Sequence, residues 1–328
     1  MRLTKVLTSV ASGSLLLACN STLFCTHAYA QEYPSRNVTI IVPFPAGGGN
    51  DIFARLIGQR LAAAFGRTVI VDNRPGASGN IGAEAVVRAA PDGHTILYGN
   101  ANVATTQVVP PKPAFDPQRD LAPVSMTVLI PFVLVAHPSL PVRNVKDLLA
   151  LAKAKPGNLT FSAVTGSITH LAMELLKLDT KLDARYVPYK GAAPSLVALL
   201  SGEVQISFLV PPVVQSQIRN GKARTLAVSS LKRSTALPDI PTLHEAGVKD
   251  FEALQWHGFF VPAKTPPAIV TRIHVEVVKA LAASEMKERL ATEGAEIVGS
   301  TPMDFAAFFM SEVKKWSEVV QRSGTKFE

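Results

Sequence analysis

The chain has 328 residues, 47% of them hydrophobic, 18% charged and 7% aromatic, with a formal net charge of +8 at pH 7. The basic excess is spread out, densest at Lys232-Arg233 and Lys314-Lys315. It lacks the basic face interleaved with aromatics that nucleic-acid binding wants, and suits attraction of anionic solutes instead. Both cysteines, Cys19 and Cys25, fall near the amino terminus, which leaves the rest of the chain no thiol for a disulfide, a zinc thiolate or a nucleophile; a chain of this length then relies on a sizeable core, most naturally divided between two domains.

Arg2 and Lys5 precede an apolar stretch from Val6 to Ala18, and Ala28-Tyr29-Ala30 supplies a small-x-small cleavage pattern. Residues 1–30 are therefore expected to be a signal peptide cut before Gln31, too short in its apolar part to anchor in a bilayer. A competing reading takes Leu16-Leu17-Ala18-Cys19 as a lipobox with Cys19 as a lipidated terminus. Leu17 suits that poorly, and the second site is the cleaner. Loss of Arg2 and Lys5 with no acid brings the charge from +8 to +6.

From Val38 onward, short β-branched runs alternate with helical ones, the signature of an α/β sheet with parallel strands. Val38–Val42 reads as the first strand. Ile52, Leu56, Leu61 and Phe65 share one face of the helix that follows, and Gly66 stops it. Between them lies Val42-Pro43-Phe44-Pro45-Ala46-Gly47-Gly48-Gly49-Asn50-Asp51. Gly47, Gly48 and Gly49 allow positive φ and close approach of a ligand, and Asn50 or Asp51 can cap a helix with free N–H groups. Those groups and the helix dipole form an anion site. With no Lys after the glycines and no GxGxxG spacing, the stretch from Ala46 to Asp51 reads as a carboxylate cradle rather than a nucleotide loop. Taken alone, an ordinary βα turn accounts for the glycines equally well.

Thr68–Val71 is the next expected strand, and Asn73–Asn80 a glycine-rich turn opening a helix through Ala90. Thr95–Tyr98 is the third, with Gly99-Asn100 at its carboxyl end, where α/β folds place ligands; Asn100 is a candidate contact on that ground. Pro110–Pro123 is irregular, and Val124–Ala136 is a crossing between domains. A helix over Asn144–Ala154 precedes a second set of βα units: strands at Leu159–Ser162, Arg185–Pro188, Val204–Val210 and Thr225–Ser229, with helices through Leu178, to Ser201-Gly202 and over Pro212–Asn220. Leu254–Val261 is read as the return crossing, and Pro267–Ala283, Glu285–Glu293 and Pro302–Ser323 as helices returning to the first domain. The second loop, with Ser162, Thr165, Gly166, Ser167 and Thr169, puts hydroxyls around a glycine at a helix start and suits a carboxylate, while N-capping by Ser167 explains it as simply. The cleft between the two sets would face Gly47–Asn50 on one side and Thr165–Thr169 on the other.

His170 invites a general-base reading, yet neither a GxSxG elbow nor HExxH is present, and a histidine in a helix's first turn is more often structural. His94, His137, His244, His257 and His274 stand singly, without metal-ligand spacing. Asp51 suits a cap better than an acid or base. Tyr189, Trp256 and His257 line either the cleft or the core, and Glu293, Glu296 and the Lys/Glu pattern from Glu312 to Glu318 read as solvated helix faces.

Tyr33-Pro34-Ser35-Arg36 and Ile41-Val42-Pro43-Phe44-Pro45-Ala46-Gly47-Gly48-Gly49-Asn50-Asp51 resemble the opening of the Bug-type receptors, the extracytoplasmic solute-binding proteins of tripartite tricarboxylate transport systems. The likeness continues through Asn73-Arg74-Pro75-Gly76-Ala77-Ser78-Gly79-Asn80-Ile81-Gly82, Ala90-Pro91-Asp92-Gly93, Gly166-Ser167-Ile168-Thr169-His170-Leu171, Val187-Pro188-Tyr189-Lys190-Gly191, Leu237-Pro238-Asp239-Ile240-Pro241-Thr242, Glu245-Ala246-Gly247 and Gly294-Ala295-Glu296. The resemblance implies an α/β fold of the periplasmic-binding-protein type II, or Venus flytrap, class: two α/β domains joined by two crossing strands. Domain 1 would be residues 31–130 with 257–328, and domain 2 residues 131–256. It implies a periplasmic, monomeric, non-enzymatic protein without cofactor or metal. Such a protein closes on a dicarboxylate, tricarboxylate or aromatic acid, through Ala46–Asp51 and Ser162–Thr169, with Asn100 and Tyr189 nearby, and hands it to membrane permease subunits. A ligand-sensing receptor and, further behind, an exported α/β hydrolase are the alternatives. Three departures stand out: Asn50 where relatives often carry Thr, Val164 in place of a glycine, and Leu209 near a position where many relatives have Asp. If that Asp meets ligand ammonium groups or bound water, its absence argues against an amino acid and for an apolar or aromatic carboxylate.

Overall fold

The computed structural model describes residues Tyr33–Phe327; the expected signal peptide, the lipobox and both cysteines lie outside them. The first part of the chain comprises β1 (Val38–Val42), α1 (Gly49–Phe65), β2 (Val69–Asn73), a 3₁₀ turn (Ala77–Gly79), α2 (Asn80–Val87) and β3 (Thr95–Asn100). Two short turns, α3 (Asn102–Thr105) and α4 (Pro117–Asp120), lead to β4 (Leu121–Pro131) and directly on to β5 (Val133–Ala136). Then come α5 (Val145–Ala154), β6 (Leu159–Ala163), α6 (Ile168–Thr180), β7 (Ala184–Pro188), α7 (Ala192–Ser201), β8 (Ile206–Leu209), α8 (Pro211–Arg219) and β9 (Arg224–Val228). The chain ends with β10 (Leu254–Pro262), α9 (Pro267–Ala282), α10 (Ser284–Thr292), β11 (Glu296–Ile297) and α11 (Pro302–Ser323). No described helix is long and apolar enough to cross a membrane.

These strands make two sheets, in the orders β11-β4-β10-β3-β1-β2 and β7-β6-β8-β5-β9. The two-lobed α/β architecture with two crossings is the expected one. Pairing is parallel around β1 and around β6, as βα units require. The sheets are nonetheless mixed rather than parallel throughout. β4 and β5 carry the chain out of the first sheet into the second, β9 and β10 bring it back, and outbound and returning strands run in opposite directions; β10 pairs antiparallel with both β3 and β4, and β5 with β8 and β9. The apolar run at Leu254–Val261 is thus more than a crossing: it is an interior strand of the first sheet.

The two connections between the sheets meet at Ser229, which is fully buried. Its N–H donates to the Phe132 carbonyl at 2.9 Å and its carbonyl accepts the Ala253 N–H at 3.0 Å. Its Oγ accepts the Phe132 N–H at 2.8 Å and donates to the Ala253 carbonyl. Every polar group of this one residue is spent on joining the outbound chain to the returning one.

Helix faces are set by what each helix meets. On α1 the buried stripe is Phe53, Ala54, Ile57, Gly58 and Leu61, with Ile52, Leu56 and Phe65 on its half-buried margin. The stripe is turned from the expected one because Gly58 sits against Ile40 and Val69 of the sheet, where an added Cβ would lie 3.3 Å from Ile40 Cδ1. Neither Asn50 nor Asp51 is the N-cap. That position belongs to Gly48, and both side chains fall in the first turn. Helix α11 packs on β4 and also on α6, so one buried cluster runs from Leu97 through Trp256, Phe309 and Trp316 to Leu171. Glu312, expected on a solvated face, is buried instead. Its Oε2 accepts the indole N–H of Trp256 at 3.2 Å and of Trp316 at 3.0 Å, and Lys315 pairs with it.

Candidate functional site

β6 stands between β7 and β8, a reversal of strand order of the kind that leaves a crevice at the carboxyl ends of an α/β sheet. A cavity of about 190 Å³ opens there, walled by the ends of β6 and β8, the crossing residue Phe132, Gln255 of β10, and Asn100 and Asn102 from the end of β3. Both lobes therefore contribute. The volume lies below the roughly 300–1,000 Å³ of drug-sized sites and suits a small solute.

Two helix starts supply the polar wall. Ser167 caps α6, its Oγ accepting the His170 N–H at 3.3 Å, and its hydroxyl lies 2.9 Å from that of Thr169. Ile168 and Thr169 line the cavity, and the first N–H groups of a helix have no partner within it. Gly191 begins α7 with no side-chain cap; Ala192 and Ser195 of that helix line the cavity too. Ser195 is 2% exposed, and its Oγ has no hydrogen-bond partner among the described residues. Behind them the Ser162 hydroxyl donates to Ser207 Oγ at 3.1 Å. Facing them, Asn100 donates through Nδ2 to Asn50 Oδ1 at 3.2 Å and accepts the Asn102 N–H at 3.0 Å. Phe132, Phe208, Leu209, Val210 and Val164 complete an apolar wall, and among the described residues no Lys, Arg, His, Asp or Glu lines the cavity.

The candidate contacts fall into groups. Asn100, Ser162, Ser167 and Thr169 line this cavity. Gly166 lines an adjoining chamber of about 60 Å³ with Ser78, Asn80, Asn102 and Val109. There φ is +71°, and a Cβ would stand 2.3 Å from Val109 Cγ1, so only glycine lets the second-lobe loop close on the segment after α3. Asn50 sits behind Asn100 with its Nδ2 unpartnered. Ala46, Gly47, Gly48 and Gly49 are exposed and line neither space. Asp51 braces that loop: its Oδ2 accepts the Gly47 N–H at 2.9 Å and Arg55 Nε at 3.0 Å, and Oδ1 lies 2.9 Å from Arg55 Nη2. Burial opposes ionisation of Asp51, but the bonds from Arg55, Gly47 and Asn73 outweigh it and hold the carboxyl below its usual range. The Thr165 hydroxyl is 2.8 Å from that of Tyr186, and Tyr189 donates to Glu203 at 2.7 Å. Asn102, Gln255 and Ser195 are cavity residues that sequence reasoning passed over. Asn102 could have been found as a second Asn just past a strand end, whereas nothing local marks a serine inside an apolar helix.

The histidines here are structural. His170 is buried, stacked on Tyr186 at 4.0 Å, and its Nδ1 accepts the Gly166 N–H at 3.2 Å. Burial, helped by the Lys177 charge, pushes its pKa down to about 4. His257 lies between Phe53 and Tyr98, and burial takes its pKa down to about 3. Trp256 is core, ringed by Phe260, Phe305, Phe308 and Phe309.

A family model described as "Tripartite tricarboxylate transporter family receptor" matches residues 53–325. The chain is 36% identical over 302 residues to Protein BugT of Bordetella pertussis, covering 91% of this chain and 93% of that protein. The solved structure of R. palustris Rpa4515 with adipate has a TM-score of 0.79 at 36% identity, covering 89% of this chain and 98% of that one. MatC (Rpa3494) from Rhodopseudomonas palustris with bound malate has a TM-score of 0.75 at 32% identity, covering 88% and 100%. With its two lobes, its double crossing and a polar cavity at the facing strand ends, the chain belongs to the tripartite tricarboxylate transporter receptor family, the periplasmic solute-binding proteins that serve those transporters.

Proposed function

We propose that this protein captures a small organic carboxylate in the cavity between β3, β6 and β8 and delivers it to the membrane permease subunits of a tripartite transporter. The observation that carries the reading is the cavity's polar wall, where the starts of α6 and of the uncapped α7 meet Ser162, Ser167, Thr169 and Ser195 with no charged side chain among the described residues. Such a wall binds an anion through dipoles and hydrogen bonds. That Rpa4515 and MatC were solved with adipate and malate agrees with this ligand class. On this reading the protein works as a periplasmic monomer after loss of residues 1–30, and catalyses nothing. The moving bodies are residues 31–130 with 257–328 and residues 131–256, and Ala46–Asp51 closes over the ligand held at Ser162–Thr169, with Asn100 and Tyr189 at the margins.

The test is thermal unfolding of the mature protein against mono-, di- and tricarboxylates, aromatic acids and amino acids. A ligand at about 100 times its Kd stabilises the fold by roughly 2.7 kcal/mol, and it is recovered with unchanged mass. Consumption of the ligand would mean an enzyme, and a flat response across the acids rejects carboxylate binding.

A further inference from the structure

We propose that the preferred ligand is a monocarboxylate with an uncharged, apolar body, its carboxylate held by Ser195 and the starts of α6 and α7. The inference rests on the carboxylate reading and narrows it. Three helices begin at this end of the second sheet, and they are not equivalent. The first N–H groups of a helix have no partner within it: α6 keeps those of Ile168 and Thr169 and α7 those of Ala192 and Ala193, Pro194 having none, whereas α8 begins with Pro211 and Pro212, which have no N–H to give. The third start is therefore closed to anions, and Leu209 and Val210 beside it extend the apolar wall formed with Phe132 and Phe208.

Ser195 makes the anion position specific. A buried hydroxyl without a partner is costly, and this one is 2% exposed, unpartnered among the described residues, and part of the cavity wall beside the α7 start. It is a donor that the unliganded fold leaves unused. Across the cavity the Asn100 amide gives one of its two hydrogens to Asn50, so that wall offers the remaining one with the amides of Asn102 and Gln255. These neutral amides complement a hydroxyl, a carbonyl or an aliphatic end; the only helix beginning among them is the four-residue α3, and no cation is among the described residues of the wall. A second carboxylate there would be desolvated against neutral amides alone, and an ammonium group would find no carboxylate among the described residues of the wall.

Hexanoate, adipate and norleucine test this directly, because they share a six-carbon skeleton and differ in the second charged group. In titration calorimetry of the mature protein, hexanoate is expected to bind at least tenfold tighter than either of the others. Tighter binding of adipate or norleucine overturns the monocarboxylate assignment while leaving carboxylate recognition standing. If none of the three binds, and the wider acid panel is flat as well, both fall. A Ser195→Ala variant should weaken hexanoate roughly ten- to a hundredfold, the loss of one hydrogen bond to a charged group. Its unliganded melting temperature should hold or rise, since no native bond is removed. Unchanged hexanoate affinity, or a marked drop in unliganded stability, would show that Ser195 serves the fold rather than the ligand.

Discussion

Single residues divide sharply into those that hold the site and those that form it. Asp51 looks like a cap or an acid from its neighbours in sequence, but in the fold it is the anchor of Gly47 and the partner of Arg55. His170 looks like a base, yet its ring is stacked, buried and engaged by the Gly166 N–H. That burial makes a pH prediction. An exposed histidine titrates near 6.5, and folding takes His170 down to about 4. Between those values the unfolded chain binds a proton that the folded chain refuses, so stability is full above pH 6.5 and falls as the pH drops toward 4. The slope should be at most about 1.4 kcal/mol per pH unit for this residue. In urea unfolding at pH 7, 6 and 5, His170→Gln should flatten the decline while keeping an acceptor for Gly166; an unaltered slope would assign it to other groups, His257 foremost.

At the scale of elements, most strands and helices were legible because their signals are local. β1 coincides with the expected strand, Ser167 and Gly66 end their helices where capping chemistry places them, and Pro267 and Pro302 sit at helix starts. The orientation of a helix about its own axis was less legible. Apolar residues at neighbouring angles on α1 compete for the sheet, and the strand side chains beneath choose among them. Glu312 shows the same limit for charge: its spacing from Lys315 and Lys314 suits a solvated face, but β10 brings Trp256 over it. Because one carboxylate serves two indole donors, Glu312→Leu should cost several kcal/mol, at about 1–3 kcal/mol for each buried donor left unmet. Chemical denaturation reads this directly, and a change below about 0.5 kcal/mol, the scale of ordinary surface substitutions, would deny the residue that role.

For the whole molecule, the lobes are joined where Phe132, Ser229 and Ala253 exchange hydrogen bonds, and Phe132 is also a wall of the cavity. Ligand and junction thus share a residue. Removing the Ser229 hydroxyl leaves the buried Phe132 N–H without its side-chain acceptor, at a cost of about 1–3 kcal/mol. Ser229→Ala should therefore lower the unfolding midpoint and broaden the small-angle scattering profile of the unliganded protein, with ligand restoring the compact form. A variant that matches the parent in both measurements would remove Ser229 from the hinge.

Sequence alone determined the alternation of βα units, the two crossings and the presence of hydroxyl- and glycine-rich loops at strand ends, since each depends on residues a few positions apart. It also supplied the likeness to the receptor family, which motifs spread along the chain carry together. Tertiary structure decided which strands run against their neighbours, that β10 lies inside the first sheet, and which polar groups reach the cavity. Asn102, Gln255 and Ser195 come from three segments far apart in the chain, and the orphaned hydroxyl of Ser195 is defined by what does not bond to it. No local pattern encodes such an absence: it exists only when α7, β6 and β8 have packed around one cavity and left that hydroxyl without a partner among the described residues.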